Sequence, residues 1–273
     1  MGNFKVLLKK NLIEMFRSKK IIVFCAVFVS LVVISALSAR FLPALISELL
    51  DELEDMTGQG MFIFSSTVAD SYVQFISNFV EVGVLLVAIM FAGVIVKEKN
   101  KGTYANLKMN NVKDSEIVLS HFASQVIVVS VSYFISVALF AILNILLFRQ
   151  IMGVRGIVAI SYVYLLFILT ICFSLFSSCL CKKKGKAYLL VILGYFILGI
   201  LEVIPKINRF NPFHLSTLST NLMYYPNYSL NEHLITVLFS VFYCVVMIGL
   251  ALLLVRNKID NRKASCDDNE GRV

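Results

Sequence analysis

Six apolar stretches, each long enough to cross a bilayer, alternate with polar segments whose lysines and arginines gather on one side. Ile21 to Ala39, Phe122 to Phe148, Gly156 to Cys181 and Leu234 to Val255 carry no charge, while Ser71 to Val96 holds only Glu81 and Ala187 to Ile204 only Glu202. Each reaches about 18 residues or more, which at about 1.5 Å per residue matches a hydrocarbon core of roughly 30 Å. The chain therefore reads as all-α, a polytopic membrane protein with spans at about 21–42, 73–96, 117–148, 157–181, 187–204 and 234–255. With 59% hydrophobic and 15% charged residues it lies outside the soluble range. Its polar segments, at most about 30 residues, are too short to fold alone, so 1–273 forms a single transmembrane domain.

Basic residues give the orientation. The N-terminal segment, the second loop, the fourth loop and the C-terminal tail carry six, five, four and five Lys or Arg, so that twenty of the 25 lie on one side. Short lysine-rich loops stay in the cytosol, which predicts an N-in/C-in topology. The net charge of +8 is thus a topology signal. Scattered over four segments and not gathered on one face, the lysines argue against a nucleic-acid partner. A cleaved signal peptide is excluded by the 19-residue apolar run and the five spans that follow, and Val6 spoils a myristoylation signal.

Two further stretches have helical amphipathicity. In FKVLLKKNLIEMFR, Phe4, Leu8, Leu12 and Met15 share one face, as expected of a helix (3–18) resting on anionic lipid headgroups, although Val6 and Ile13 interrupt the polar side. In PALISELLDELEDM, Leu45, Leu49, Leu53 and Met56 line one face and five carboxylates the rest. This predicts an outer surface helix, read either as an acidic cap or as an electrostatic lure for a cationic ligand.

Chemistry-bearing constellations are scarce. The sequence holds no GxxxxGK[ST], HExxH or GxSxG motif and no metal-spaced His, Cys and carboxylate set. The expectation is a non-enzyme with no cofactor or metal, in which any ATP is hydrolysed by another chain. The six cysteines imply no disulfide framework. His121, His214 and His233 fall at boundaries and are expected to be solvated. Glu81 and Glu202 each lie about 15 residues, roughly 22 Å, from the cytosolic helix ends, near the outer interface. They read as snorkelling or vestibule-lining carboxylates, with a proton relay as the other reading.

The second cytosolic loop, 97–116, is more specific. Gly102 can end the second span, Thr103 can cap a short helix from Tyr104 to Met109 with Tyr104 and Leu107 three apart, and Asn111 or Asp114 can cap the third span. Such a helix is suited to fit a groove on a cytosolic partner; the same residues also make a simple polar turn, and both readings stand.

Here the chain resembles the ABC-2 type permease family, the membrane subunits of ATP-binding-cassette exporters. Glu98, Lys99, Gly102, Thr103, Leu107, Lys113 and Glu116 occupy the places of that family's loop pattern, whereas Asn111 and His121 stand where it often has proline and lysine. Phe4 to Arg17 looks like the family's elbow helix, and NPFHLSTLS is similar to a segment that often dips back into the outer leaflet, leaving open whether Asn211 to Leu215 is re-entrant. The resemblance implies a multi-pass protein of a bacterial plasma membrane that pairs with a second permease, in a homodimer or heterodimer, and with two cytosolic ABC ATPase subunits. Glu98, Gly102, Thr103, Tyr104 and Leu107 would couple to the ATPase, which binds the ATP. The cargo would be hydrophobic or amphipathic, such as a bacteriocin, drug or lipid-like molecule, and Glu81 and Glu202 would face the outer vestibule. An ion-coupled carrier using Glu81 and Glu202 is the alternative, and a membrane-embedded enzyme a more distant one.

Overall fold

In the computed structural model, which describes residues 2–57, 66–225 and 230–270, every regular element is a helix and the described residues contain no strand. Helix α1 (Gly2–Arg17) turns at Lys19, whose φ is 56°, into α2 (Lys20–Thr57). The next span is assembled from α3 (Val68–Asn78), a π-turn (Phe79–Gly83), α4 (Val84–Phe91) and α5 (Val94–Asn100). There follow α6 (Thr103–Met109), α7 (Asp114–Phe148), α8 (Val154–Leu180), α9 (Lys184–Glu202), α10 (Pro205–Asn208), α11 (His214–Tyr224) and α12 (Leu230–Glu270). Six segments are long and apolar enough to cross a membrane: Lys20–Ile46, Val68–Asn100, Asp114–Phe148, Val154–Leu180, Lys184–Glu202 and His233–Val255.

One departure from the sequence reading concerns the acidic stretch after the first span, and the structure also gives the form of a segment that the sequence left open. The stretch expected to form a separate acidic surface helix continues α2 without a break. Pro43 cannot donate to the Ala39 carbonyl, yet the good helix formers after it carry the helix to Thr57; the side chains of 49–57 lie outside the described residues. The segment containing Asn211 to Leu215 folds into α11, which buries His214, Leu215, Leu218, Ser219 and Met223 against α8 and α3. Asn211 sets the turn before it, donating to the Leu198 carbonyl at 2.7 Å and accepting from the Phe213 N–H at 3.1 Å.

Helix α8 is the hub, packed on α7, α9, α11, α12 and the pieces of the α3–α5 segment. Around it sit the fully buried rings of Phe24, Phe28, Phe75, Phe79, Phe91, Tyr133, Phe140 and Phe167, with Phe75 and Phe79 only 4.2 Å apart. In hydrocarbon surroundings an apolar side chain gains little by leaving lipid, so fit and ring geometry hold such a cluster, at about 0.5–1.5 kcal/mol per aromatic pair. Helix α7 presents the small buried residues Ser120, Ser124, Ser132 and Ser136 at intervals of one or more turns, ending at Asn144. Each returns a hydrogen bond to its own helix or, like Ser120, also accepts one from a neighbour. Small polar residues of this kind let helices approach closely without an orphaned group.

The α3–α5 segment breaks again between Phe91 and Val94. Its freed groups are satisfied from two sides. Ser178 Oγ on α8 accepts from the N–H groups of Ile95 (2.9 Å) and Val96 (3.3 Å), and Lys20 Nζ donates to the Met90 carbonyl at 2.9 Å. A side chain at Gly93 would come within 3.2 Å of the Tyr188 hydroxyl, so glycine here lets α9 lie close.

Candidate functional site

The loop 97–116 folds as a helical hairpin tip. Gly102 closes α5 with φ 74°, a left-handed backbone that favours glycine even though a Cβ there would meet nothing within 4 Å. Thr103 does not cap α6 as expected. It is the first residue of that helix, behind the left-handed Gly102, and its hydroxyl donates to the Glu98 carbonyl at 3.1 Å. No residue of α6 is fully buried. Tyr104 and Leu107 are partly covered against Leu7, Val112 and Ile117, while Met109 is 76% exposed.

Neither Asn111 nor Asp114 caps α7. Asn111 turns the chain with φ 56°, Lys113 stands at the cap, and its N–H donates to Glu116 at 3.3 Å. Asp114 is thereby released to clamp the hairpin, its carboxylate accepting from the Tyr104 hydroxyl and from Lys108 Nζ, each at 2.5 Å. Burial and the bond to this carboxylate push the Tyr104 hydroxyl well above the usual tyrosine range.

Beneath the hairpin lies Glu98, buried at 6% exposure. Its carboxylate meets Lys10 Nζ of α1 at 2.7 Å and His121 Nε2 of α7 at 2.9 Å. One side chain thus ties three helices that lie far apart in the chain. Lys10 keeps 39% of its side chain in contact with the surroundings while the carboxylate keeps 7%. Nearby, Asn11 donates to Ser120 at 3.1 Å, and Lys97 reaches Glu14 at 3.1 Å. Burial raises the Glu14 carboxyl, but the hydrogen bond and charge of Lys97 outweigh it and hold Glu14 below the usual range. The face of α1 turned inward is therefore Leu7, Asn11 and Met15, whereas Val6 and Ile13 are exposed.

The histidines correct the sequence expectation outright. His121, His214 and His233 are 3%, 7% and 5% exposed. His233 stacks on Tyr162 and lies 3.1 Å from its hydroxyl. Their positions near helix ends suggested water, but neighbouring helices cover them, with Glu98 of α5 against His121 and Tyr162 of α8 against His233.

At the far end of the bundle, Glu81 lies in the π-turn and is exposed, and Glu202 ends α9 with its carboxylate accepting from the Thr217 hydroxyl of α11. Tyr195, which donates to the Val80 carbonyl at 3.2 Å, lies within electrostatic range of both carboxylates. The structure thus brings Glu81 and Glu202 to one region around Tyr195, and Glu98, Gly102, Thr103, Tyr104 and Leu107 to another. Missed from sequence were Lys10, His121 and Asp114, and the spaced serines of α7 were the one signal that its inward face is polar. Among the described residues no group of three His, Cys, Asp or Glu side chains could hold a metal. Comparison with protein-family models gives no match, and comparison with curated proteins gives none either.

Proposed function

We propose that this chain is the membrane-spanning permease subunit of an ATP-binding-cassette exporter, pairing with a second permease and powered by two cytosolic ATPase subunits. The observation that supports the reading is α6: a short exposed helix at the tip of two long ones, clamped to α7 by Asp114 and seated over a carboxylate that ties α5 to α1 and α7. A partner pressing on α6 has a stiff route into three helices. In this reading the excess of basic residues at this end favours a cytosolic hairpin and cytosolic termini, with α1 as an elbow helix at the surface of a bacterial plasma membrane. Closure of the ATPase dimer then tilts the spans and releases a hydrophobic or amphipathic cargo outward, past Glu81 and Glu202.

The test is ATP-dependent transport in inverted vesicles containing the chain and the ATPase that co-purifies with it. Gly102→Val and Leu107→Asp should uncouple transport from ATP hydrolysis while the protein remains folded and inserted; normal transport by both variants overturns the reading. An ion-coupled carrier is favoured instead by the grouping of Glu81 and Glu202 around Tyr195 next to a π-turn. Transport that needs no ATP and stops on adding an uncoupler would establish it.

A further inference from the structure

A cavity of about 250 Å³ opens between α1, the start of α2 and α5. Four lysines line it, Lys10, Lys20, Lys97 and Lys101, against two carboxylates, Glu14 and Glu98. Lys10 and Lys97 are matched by Glu98 and Glu14. The only partner of Lys20 among these contacts is neutral, the Met90 carbonyl, and the exposed Lys101 adds a second positive charge that the two carboxylates do not balance. Lys97 and Lys184 lie within electrostatic range of Lys20, and so does the carboxylate of Glu14, so that lysines outnumber carboxylates around it. An ammonium has three N–H donors. Lys10, Lys20 and Lys97 each direct one at the protein partner just named, and so keep donors for an oxygen-rich guest.

Two charges in excess and spare donors suit an anion that accepts several hydrogen bonds at once. Lysine binds phosphate as a point charge. The height of the site narrows the guest further. Lys20 is the first residue of the apolar span Lys20–Ile46, and the exposed Ile22 and Val23 follow it directly. In a bilayer this is the level at which phosphate gives way to acyl chain, and basic pockets between helices at that level hold acidic headgroups.

We propose that this cavity is a binding site for a phosphate-bearing anion, filled in the membrane by the headgroup phosphate of an acidic phospholipid. The occupant braces α1 against α5, beside the Lys10–Glu98 and Lys97–Glu14 contacts, and so stiffens the same junction that underlies α6. The site rests on its own geometry and stands whether or not the chain is a permease.

The experiment uses the purified full chain in neutral detergent, titrated with dioctanoyl phosphatidylglycerol, dioctanoyl phosphatidylcholine or inorganic phosphate while the unfolding temperature is followed. Phosphatidylglycerol should raise it in a saturable manner and phosphatidylcholine much less. An equal rise with inorganic phosphate identifies a site for free phosphate, and no rise identifies the lipid headgroup; either supports an anion site. Lys20→Gln with Lys101→Gln should weaken phosphatidylglycerol on the order of 30-fold, at about 1 kcal/mol per lysine. Lys101→Gln alone, on an exposed side chain, should weaken it about fivefold and guards against misfolding of the double variant. Lys5→Gln with Lys9→Gln removes equal charge from α1 outside the cavity and should change affinity no more than about twofold. The proposal is overturned if phosphatidylglycerol acts no better than phosphatidylcholine and phosphate has no effect, or if the Lys5 and Lys9 pair weakens binding as much as the Lys20 and Lys101 pair.

Discussion

At the end of the bundle that carries α6, three carboxylates meet lysines: Glu98 meets Lys10 and also contacts His121, Asp114 meets Lys108, and Glu14 meets Lys97. At the other end Glu202 accepts from the Thr217 hydroxyl, and Glu81 is exposed on a π-turn. The first arrangement joins elements, because a buried carboxylate paired with an ammonium is costly to separate. The second leaves Glu81 at the surface, accessible to a guest, and sets Glu202 against a neutral hydroxyl of α11. Rigidity and access are thus divided between the two ends.

The largest expected effect tests the rigid end. Glu98→Ala strands Lys10 and His121, and should cost about 3 kcal/mol, the lower end for a broken buried pair because Lys10 is partly exposed. This corresponds to a fall in unfolding temperature of roughly 6–12 °C in detergent. Glu81→Gln should stay within about 0.5 kcal/mol. Equal losses in the two variants would erase the contrast between the ends.

A smaller effect sharpens it through pH. The folded state holds the Tyr104 proton more tightly than the unfolded chain does, since burial and Asp114 raise its pKa. Its contribution is therefore complete below the unfolded value, about pH 10, and is lost as pH rises beyond it. Tyr104→Phe should remove that part of the alkaline decline in unfolding temperature. Tyr224 at the far end donates to Asp70 at 2.9 Å and is pushed to about 12 by burial and that carboxylate. It is 50% exposed, so Tyr224→Phe should change the alkaline limb less. The smallest effect is at Lys97 and Glu14, both at least one-third exposed: Lys97→Gln should cost no more than about 0.5 kcal/mol, and less in high salt.

The six spans were legible because charge-free length is a local property, and so was the hairpin tip, because Gly102 is a local instruction to the backbone. The partners of Glu98 were not. Lys10 and His121 lie 88 and 23 positions away, and nothing in the spacing marks either as nearer than the dozens of other basic residues and histidines; only the packing of α1 and α7 selects them. The split of Thr103 and Asp114 from their expected capping roles has the same origin. Both are good cap residues, but a left-handed Gly102 already ends α5, and Asp114 gains more from Tyr104 and Lys108 than from a backbone N–H. The π-turn was invisible, since FVEVG differs in no local preference from its neighbours in the span.

That π-turn has a further consequence for the molecule. By bonding the Val84 N–H to the Phe79 carbonyl, it wraps one more residue into its turn than an α-helix does, and each residue accounts for about 100° of rotation. The rest of α4, up to the second break, is phased by that extra step, which turns Phe91 toward Phe24. Closing these same residues as a regular α-helix would swing Phe91 by about a quarter of a circle, whereas deleting one residue there would let the helix close in regular register with Phe91 still turned toward Phe24.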